Sequence, residues 1–394
     1  MTVLRTAAVG WVVLLAACSL PNVGLWDSQG KADTGLYSLY GSRIAHGHVP
    51  YRSGFSMEFP PGAIPALAVP ALPRSHYVSW FKAFELLCAA AAIGAVAFAL
   101  AGESARRRYG AMVVAGVAPA ALGPIALNSF DFWPAALAAW AVALVVRGYP
   151  RWGLALLGAA TAAKLYPALL APALLMHVLR ERGRHEARRA LLAAAAVVFV
   201  VFAPFAAIAP GGLRASLQQQ ATRGLQVESL GGSFLGVAHR LGGDFRVVVS
   251  HSPFSFDLAG PGAGVLATLL TILVFVAAVV AWQLLRDGAV DRDRTLVAVA
   301  ATAVGFVAFA KVLSPQYLLF LVPLVPLVDS IAVWLLMLLA LALTQVWARF
   351  PQPFLDTIHL GGRIWVVLAR NLVLVALYAL LLFGLRHRRT TSSP

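Results

Sequence analysis

Apolar runs of about 20 residues recur along this chain from end to end, and each is long enough to cross a bilayer. Of the 394 residues, 60% are hydrophobic and 12% are charged, whereas soluble domains average about 45–50% and about 25%. This composition excludes a soluble globular protein, a disordered chain and a disulfide scaffold. It predicts one all-α polytopic membrane domain that fills residues 1–394.

The apolar segments lie at residues 6–25, 77–101, 109–127, 132–146, 152–179, 190–209, 263–285, 295–310, 315–328, 331–347 and 364–385. The segment 152–179 is too long for one span and too short for two, and it is interrupted at Lys164-Leu-Tyr-Pro167. Because Pro167 removes a helical hydrogen bond, we expect two short helices that enter from one side and return. Counting both gives about 12 membrane segments.

If the spans alternate, more than half of the 31 Lys and Arg residues fall on one side of the membrane. The positive-inside rule makes that side cytoplasmic, so both termini are expected inside a multi-pass plasma-membrane protein. Topology therefore explains much of the net charge of +15, and the bilayer, not nucleic acid, is the expected partner. The polar stretches 26–76, 210–262 and 348–363 are then extracytoplasmic.

The first outer loop contains the strongest catalytic candidate. Residues 34–46 suit a helix with Asp33 as its N-cap and Gly47 just past its end. Asp33, Tyr37 and Tyr40 share one face of that helix, where a carboxylate and tyrosines next to a bilayer can hold a sugar hydroxyl. The alternative is structural, because Asp is a favoured cap and tyrosines favour membrane interfaces.

The same loop continues with Tyr51, Arg52 and Glu58-Phe-Pro-Pro61. Pro60 forces Phe59 into an extended conformation and Pro61 suits a first helical turn, so Glu58 precedes a helix N-terminus. Glu58 is either a capping carboxylate or a group that binds a sugar hydroxyl or assists Asp33. Tyr51 and Arg52 join it as candidates for binding the sugar or the acceptor.

Three cations are candidates for binding a donor phosphate: Lys164, Lys311 and Arg223. Ionisable groups in or against apolar runs are costly and usually mark a functional path or an ion pair, although Lys311 can also snorkel to an interface. Arg223 opens a segment that contains Glu228, which either binds sugar or forms a local ion pair with Arg223. Gln316 and Tyr317, just after Lys311, are further sugar-binding candidates.

The short turn before residue 132 contains Asp131. It is either a second active-site carboxylate or an N-cap for the following helix, and we favour the cap. The sequence predicts no metal site and no required cofactor, since the histidines are scattered and no nucleotide-binding fingerprint is present. A divalent metal requirement stays open.

Taken together, five stretches resemble the actinobacterial branch of glycosyltransferase family 87 over about residues 30–320. They are Asp33-x3-Tyr37 with Gly47-x2-Pro50-Tyr51, Glu58-Phe-Pro-Pro61, Lys164-Leu-Tyr-Pro167, Lys311-x2-Ser-Pro-Gln-Tyr317 and Arg223-Gly-Leu-Gln-Val-Glu-Ser229. The resemblance implies the GT-C membrane fold, a polyprenyl-phosphate-mannose donor, a cell-envelope glycolipid or glycan acceptor and inversion at the anomeric carbon. It also implies a general-base Asp just after the first span, the place that Asp33 occupies.

The residues leave other functions open. The motifs do not separate mannose from arabinofuranose as the transferred sugar. A transporter or flippase of lipid-linked saccharides also has many spans, although transporters often carry midplane sites between inverted repeats, whereas the polar candidates here crowd the outer loops and helix ends. A non-catalytic partner in a cell-envelope complex is the third alternative.

Overall fold

The computed structural model describes residues 2–21, 25, 33–251, 254–288, 290–348, 357 and 359–387. Within these ranges the chain is a bundle of α-helices with one β-hairpin. The helices of the first half are α1 (Thr2–Cys18), α2 (Asp33–Ala45), α3 (Ile64–Ala68), α4 (Tyr77–Ala99), α5 (Ala105–Leu122), α6 (Phe132–Val146) and α7 (Pro150–Ala163). Those of the second half are α8 (Ala171–Ile208), α9 (Pro210–Ala221), α10 (Leu230–Arg240), α11 (Ala263–Arg286), α12 (Arg292–Phe309), α13 (Ile331–Ala348) and α14 (Ile364–His387).

In the described part of the chain, six helical stretches are long and apolar enough to cross a membrane. They are Tyr77–Ala99, Ala105–Leu127, Tyr166–Ile208, Ala263–Arg286, Ile331–Ala348 and Ile364–His387. The predicted all-α polytopic membrane architecture is therefore confirmed. The count of about 12 segments stays a prediction, because shorter apolar helices such as α1 and α6 accompany these six.

The predicted hairpin within residues 152–179 is present. Helix α7 ends at Ala163, and Lys164 adopts an extended conformation with φ −149° and ψ 138°. A 3₁₀ turn over Tyr166–Leu170 then leads into α8. Helix α8 is itself interrupted at Gly183, where φ is +80°, and its second part runs back toward the end of the bundle that contains Lys164. The interruption in the apolar pattern thus becomes the tip of a helical hairpin, and this tip carries the charged side chain of Lys164.

Residues 315–328, predicted as one apolar segment, do not form a continuous α-helix. They form 3₁₀ turns over Pro315–Phe320 and Val325–Leu327, because Pro315, Pro323 and Pro326 have no backbone N–H to continue an α-helix. Most of their side chains from Leu318 to Val328 are buried in the main apolar core. The stretch therefore fills the interior behind Gln316 and Tyr317.

One end of the bundle, here called the arginine-rich end, consists of residues 99–107, 145–151, 177–182 and 286–294. Ion pairs hold its turns together: Arg107 contacts Glu103 at 2.9 Å and Asp293 at 2.8 Å, and Arg292 contacts Glu103 at 2.6 Å. The alternation of spans predicts that these basic turns share one side, and the structure gathers them there.

The opposite end carries the first loop, and its aromatic cluster positions α2. Helix α2 begins at Asp33, close to the predicted start, and Gly47 has φ +83° just beyond its end. Tyr37 packs against Phe59, Phe81 and Phe130 at ring distances of 5.4–5.8 Å. Burying the tyrosine face therefore aims the first turn of α2, with Asp33, into the bundle.

In the part of the chain that the structure describes, a β-hairpin in the second large loop is the departure from an all-α fold. Strands β1 (Arg246–His251) and β2 (Phe254–Ala259) pair antiparallel, with Val248 opposite Asp257. A single β-bridge joins Gln226 to Asp257. The hairpin therefore holds the segment that follows Arg223.

A tight approach between the two outer loops predicts a position-specific effect of substituting neighbouring glycines. A Cβ added to Gly212 in α9 would overlap the carbonyl oxygen of Tyr51, whereas one added to Gly211 would meet nothing within 4 Å. We expect Gly212→Ala to lower the free energy of unfolding by about 1–3 kcal/mol through overpacking. Gly211→Ala is the matched control and should be neutral or slightly stabilising, since Ala favours helix over Gly. Thermal unfolding in detergent measures both, and equal melting temperatures would contradict this packing.

Candidate active site

A buried ion pair lies at the centre of the candidate site. The Lys164 Nζ lies 2.5 Å from Asp131 Oδ1, and the Asp131 side chain is fully buried. The ammonium also lies over the rings of Phe130 and Tyr317, 4.7 and 4.8 Å from their centroids. The pair therefore joins the α7–α8 tip to the start of α6 and to the segment after Lys311.

Asp131 occupies the N-cap position of α6, but its side chain does not cap the helix, so the favoured sequence interpretation is wrong. Its backbone is helical, with φ −77° and ψ −19°, and its side chain makes no capping hydrogen bond. The cap comes instead from Glu85 of α4, whose Oε2 accepts a hydrogen bond from the Phe132 backbone N–H at 3.1 Å. Asp131 is thereby left to pair with Lys164.

Asp33 lies at the helix terminus that faces this pair. The Gln316 side-chain amide donates to Asp33 Oδ2 over a long 3.5 Å contact, and Asp33 is only partly buried. Its position in the first turn of α2 favours the carboxylate anion. Asp33 thus combines negative charge, partial access from outside and a neighbour from the Lys311–Tyr317 motif.

Four carboxylates surround the ring of Tyr37. Burial raises the Tyr37 pKa well above its ordinary value, and the charges of Asp33, Asp131, Glu58 and Glu85 raise it further. Tyr37 therefore stays protonated at any physiological pH. Its ring is fully enclosed and packs against Phe59, Phe81 and Phe130.

Glu58, the other carboxylate candidate of the first loop, has a raised pKa. Burial raises the Glu58 pKa from 4.5 to about 7, Arg223 lowers it, Asp33 raises it and Lys164 lowers it. The backbone carbonyl of Glu58 accepts a hydrogen bond from Gln220 of α9 at 3.0 Å. Glu58 is therefore placed among Asp33, Lys164 and Arg223, as the sequence hypothesis requires.

Arg223 and Lys311 form a second, more open group of charges. The Lys311 Nζ donates to the Ala221 carbonyl oxygen at 3.0 Å. The Lys311 pKa is lowered by burial and by Arg223, and Asp257 of β2 partly offsets this. Two cations held this close repel each other, and an anion bound between them would relieve the repulsion.

Two of the sequence motifs pack directly on each other beside these cations. The Gln226 backbone N–H donates to the Lys311 carbonyl oxygen at 3.0 Å, and the Gln226 side chain contacts Ser314 Oγ at 3.5 Å. The Arg223–Ser229 segment is therefore fixed against the Lys311–Tyr317 segment. Both motifs belong to one site.

Other predicted residues support the site or lie away from it. The Tyr51 hydroxyl donates to the Phe59 carbonyl oxygen at 2.6 Å and its ring is buried, so Tyr51 fixes the shape of the Glu58 segment. Arg52 is exposed on the outer loop. Glu228 is buried, and its backbone carbonyl accepts from Arg370 at 2.6 Å and from Asn371 at 3.1 Å. Arg370, in α14, therefore anchors the second loop.

No group of three His, Cys, Asp or Glu side chains is arranged to hold a metal ion among the residues that the structure describes. With the groups present, the site offers a partly open carboxylate, a second carboxylate that titrates near neutral pH, and two adjacent cations. This set suits proton removal from a hydroxyl beside a phosphate leaving group.

Breaking the buried pair should cost more stability than breaking an exposed one. Asp131→Asn and Lys164→Met each leave an uncompensated buried charge, so each should lower the free energy of unfolding by about 3–5 kcal/mol. The double variant removes both charges and should lose clearly less than the sum of the two. Unfolding by SDS in mixed micelles measures this double-mutant cycle.

Glu186→Gln is the control, because it breaks the exposed Arg151–Glu186 pair and should change the free energy of unfolding little. Additive losses of stability in the cycle would contradict the pairing of Asp131 with Lys164.

Comparison with known proteins identifies a family to which the chain belongs. The model for glycosyltransferase family 87 matches residues 59–315, which include Lys164, Arg223 and Lys311. No curated protein sequence matches the chain. The family match extends over more than half of the chain, so the protein belongs to glycosyltransferase family 87 and is a multi-pass membrane glycosyltransferase.

Proposed function

We propose that the protein transfers a sugar from a polyprenyl-phosphate donor to a cell-envelope glycolipid or glycan at the outer face of the plasma membrane. Mannose is the expected sugar, from the motif resemblance. The observation that supports this most is the placement of Asp33 beside the Asp131–Lys164 pair, with Arg223 and Lys311 nearby. A lipid-linked donor stays in the bilayer, so a site at the helix ends can receive it.

In the proposed reaction Asp33 is the general base. The acceptor hydroxyl oxygen forms a bond to the anomeric carbon of the donor as the bond from that carbon to the phosphate oxygen breaks. The hydroxyl proton passes to the Asp33 carboxylate, and polyprenyl phosphate leaves with the electron pair. Attack opposite the leaving group inverts the anomeric configuration, and proton removal of this kind typically contributes about 10²–10⁴-fold.

The leaving phosphate needs positive charge more than it needs an acid. Arg223 and Lys311 lie close enough to interact electrostatically, and we assign them the phosphate oxygens. Lys164, neutralised in part by Asp131, contributes positive potential between the phosphate and the base. This scheme requires no metal.

The remaining candidates are assigned to sugar and acceptor. Gln316 and Tyr317 border Asp33 and Lys164, so we place the donor sugar against them with Glu58. Arg52, exposed on the first loop, is assigned to the acceptor. Tyr37, Tyr51, Asp131 and Glu228 are buried and act by positioning these groups.

Replacing the proposed base should remove transfer but not folding. Asp33→Asn keeps the shape and the capping ability of the side chain but removes its basicity, so we expect transfer to fall by about 10²–10⁴-fold with an unchanged melting temperature. The assay follows label from polyprenyl-phosphate mannose into a lipid extract in proteoliposomes. Asp244→Asn, on an exposed loop residue, is the matched control and should transfer normally.

The outcomes of this assay separate the alternatives. Equal transfer by wild type and Asp33→Asn would remove Asp33 from the mechanism. Transfer of label only from polyprenyl-phosphate arabinofuranose would show that the transferred sugar is arabinofuranose and would leave the assignment of the site unchanged. Passage of the intact labelled lipid across the bilayer without transfer would indicate a flippase.

The raised pKa of Glu58 predicts a pH dependence of donor binding. Above about pH 7 Glu58 becomes anionic next to Asp33 and repels the donor phosphate, so the KM for donor should rise between pH 6 and 8. Glu58→Gln cannot ionise and should flatten this rise. The same KM profile in Glu58→Gln and wild type would contradict the role of Glu58. Since the folded pKa lies above the unfolded value, ionising Glu58 also costs stability as the pH rises from 4.5 through 7.

A further inference from the structure

An open pocket lies at the arginine-rich end of the bundle, away from the candidate active site. It encloses about 270 Å³ between the α6–α7 turn, α8 and the start of α12. Its charged lining is Arg147, Arg182, Arg292 and Glu181, with His177 beside them. The rest of the wall is largely apolar and includes Val145, Val146 and Val178.

Two of the arginines are fixed by the fold. Arg147 donates to the Ala101 carbonyl oxygen at 3.0 Å and lies over the Phe98 ring. Arg292 is held by Glu103 at 2.6 Å and by the Ala99 carbonyl oxygen. Both guanidinium groups are therefore anchored to the α4–α5 turn, which brings their charge to the pocket wall without requiring a ligand.

Arg182 differs from these two. It makes no hydrogen bond or ion pair with any residue in the described ranges. Its guanidinium approaches Gly148 so closely that a Cβ there would lie 2.7 Å from a guanidinium nitrogen. Gly148 has φ +88°, a conformation that suits glycine. The turn therefore leaves room for Arg182 to reach over the pocket with its donors unused.

The balance of charge favours an anion. Three guanidinium groups line the pocket against two carboxylates, Glu181 of the wall and the Glu103 that pairs with Arg292, which leaves a net positive charge. Guanidinium groups bind phosphate oxygens in a bidentate manner. The volume exceeds what one phosphate group needs, since a water molecule occupies about 30 Å³ of liquid. The apolar part of the wall suits the glycerol and first methylenes of a lipid better than a free ion.

Aromatic residues beside the pocket indicate its depth in the membrane. Tyr149 and Trp152 flank Pro150 of the pocket wall and are 53% and 72% exposed. Exposed Trp and Tyr at helix ends are typical of the bilayer interface. The pocket therefore opens at the level of the phospholipid headgroups.

We propose that this pocket binds the phosphate of an anionic phospholipid headgroup, with Arg182 as its main ligand and Arg147 and Arg292 as supporting charges. The site is separate from the transfer site, because it lies at the opposite end of the bundle. The lipid joins α6, α8 and α12 where their turns meet.

The test is native mass spectrometry of the full-length protein released from detergent with added phosphatidylglycerol or phosphatidylcholine. We expect the wild type to retain phosphatidylglycerol in preference, and Arg182→Gln to retain about tenfold less, as for the loss of a charge-assisted hydrogen bond. Arg106→Gln removes the same charge from an exposed residue of the same end and should retain lipid like the wild type. Arg147→Gln is a second variant, with a smaller expected loss.

Several results would overturn the proposal. Equal retention of phosphatidylglycerol by wild type and Arg182→Gln would show that Arg182 does not bind the lipid. Equal loss in Arg182→Gln and Arg106→Gln indicates general attraction of anionic lipid to a basic surface. A stabilisation of the wild type by inorganic phosphate that equals the effect of phosphatidylglycerol and is lost in Arg182→Gln identifies a site for free phosphate instead of lipid. Melting temperatures of all variants check that they are folded.

Discussion

The Asp131–Lys164 ion pair is the interaction on which the geometry of the site depends. A lysine and an aspartate removed from water are tolerated only if they compensate each other, and here the two come from different places in the chain. Lys164 stands at the tip of the α7–α8 hairpin and Asp131 at the start of α6. Their contact fixes the tip against α6, and the Gly62 carbonyl oxygen accepts from the Trp133 indole at 2.9 Å beside it. The first loop is thereby held over the Asp131–Lys164 pair, with Asp33 and Glu58 on the side of the loop that faces the pair.

The other charged groups near this pair differ in burial and in protonation, because their surroundings differ. Glu85 is buried and caps α6, Glu58 is raised to a pKa of about 7, and Asp33 sits partly exposed at a helix N-terminus. Arg223 and Lys311 lie together on the side of the β-hairpin. An acidic side that accepts a proton and a basic side that accepts a phosphate are what transfer from a phosphate-linked sugar requires. The family match shows a membrane glycosyltransferase, and the phosphate-linked donor is part of the proposal.

Sequence patterns predicted the elements of the fold better than its contacts. The apolar runs predicted the helices, Pro167 the turn at Lys164, and the spacing of Asp33, Tyr37 and Tyr40 the face of α2. The pattern failed where the outcome depends on tertiary packing. Asp131 has the local signature of a cap, and only the approach of Glu85 from α4 frees it for Lys164. Glu85 itself lies inside an apolar run, where an ionisable residue usually indicates a functional site or an ion pair. The neighbouring sequence, however, does not identify which group Glu85 contacts. The apolar pattern predicted one segment over residues 315–328, whereas Pro315, Pro323 and Pro326 prevent a continuous α-helix there.

The most direct test of this account is the position of the leaving phosphate. A cryo-electron microscopy structure of the full chain in nanodiscs with bound polyprenyl phosphate would measure it. The account predicts phosphate density within about 3 Å of the Arg223 and Lys311 side-chain nitrogens, with the space for the sugar lying toward Asp33 and Gln316. Phosphate density bound away from both cations, or on the far side of the bundle from Asp33, would contradict the assignment of this cluster as the transfer site.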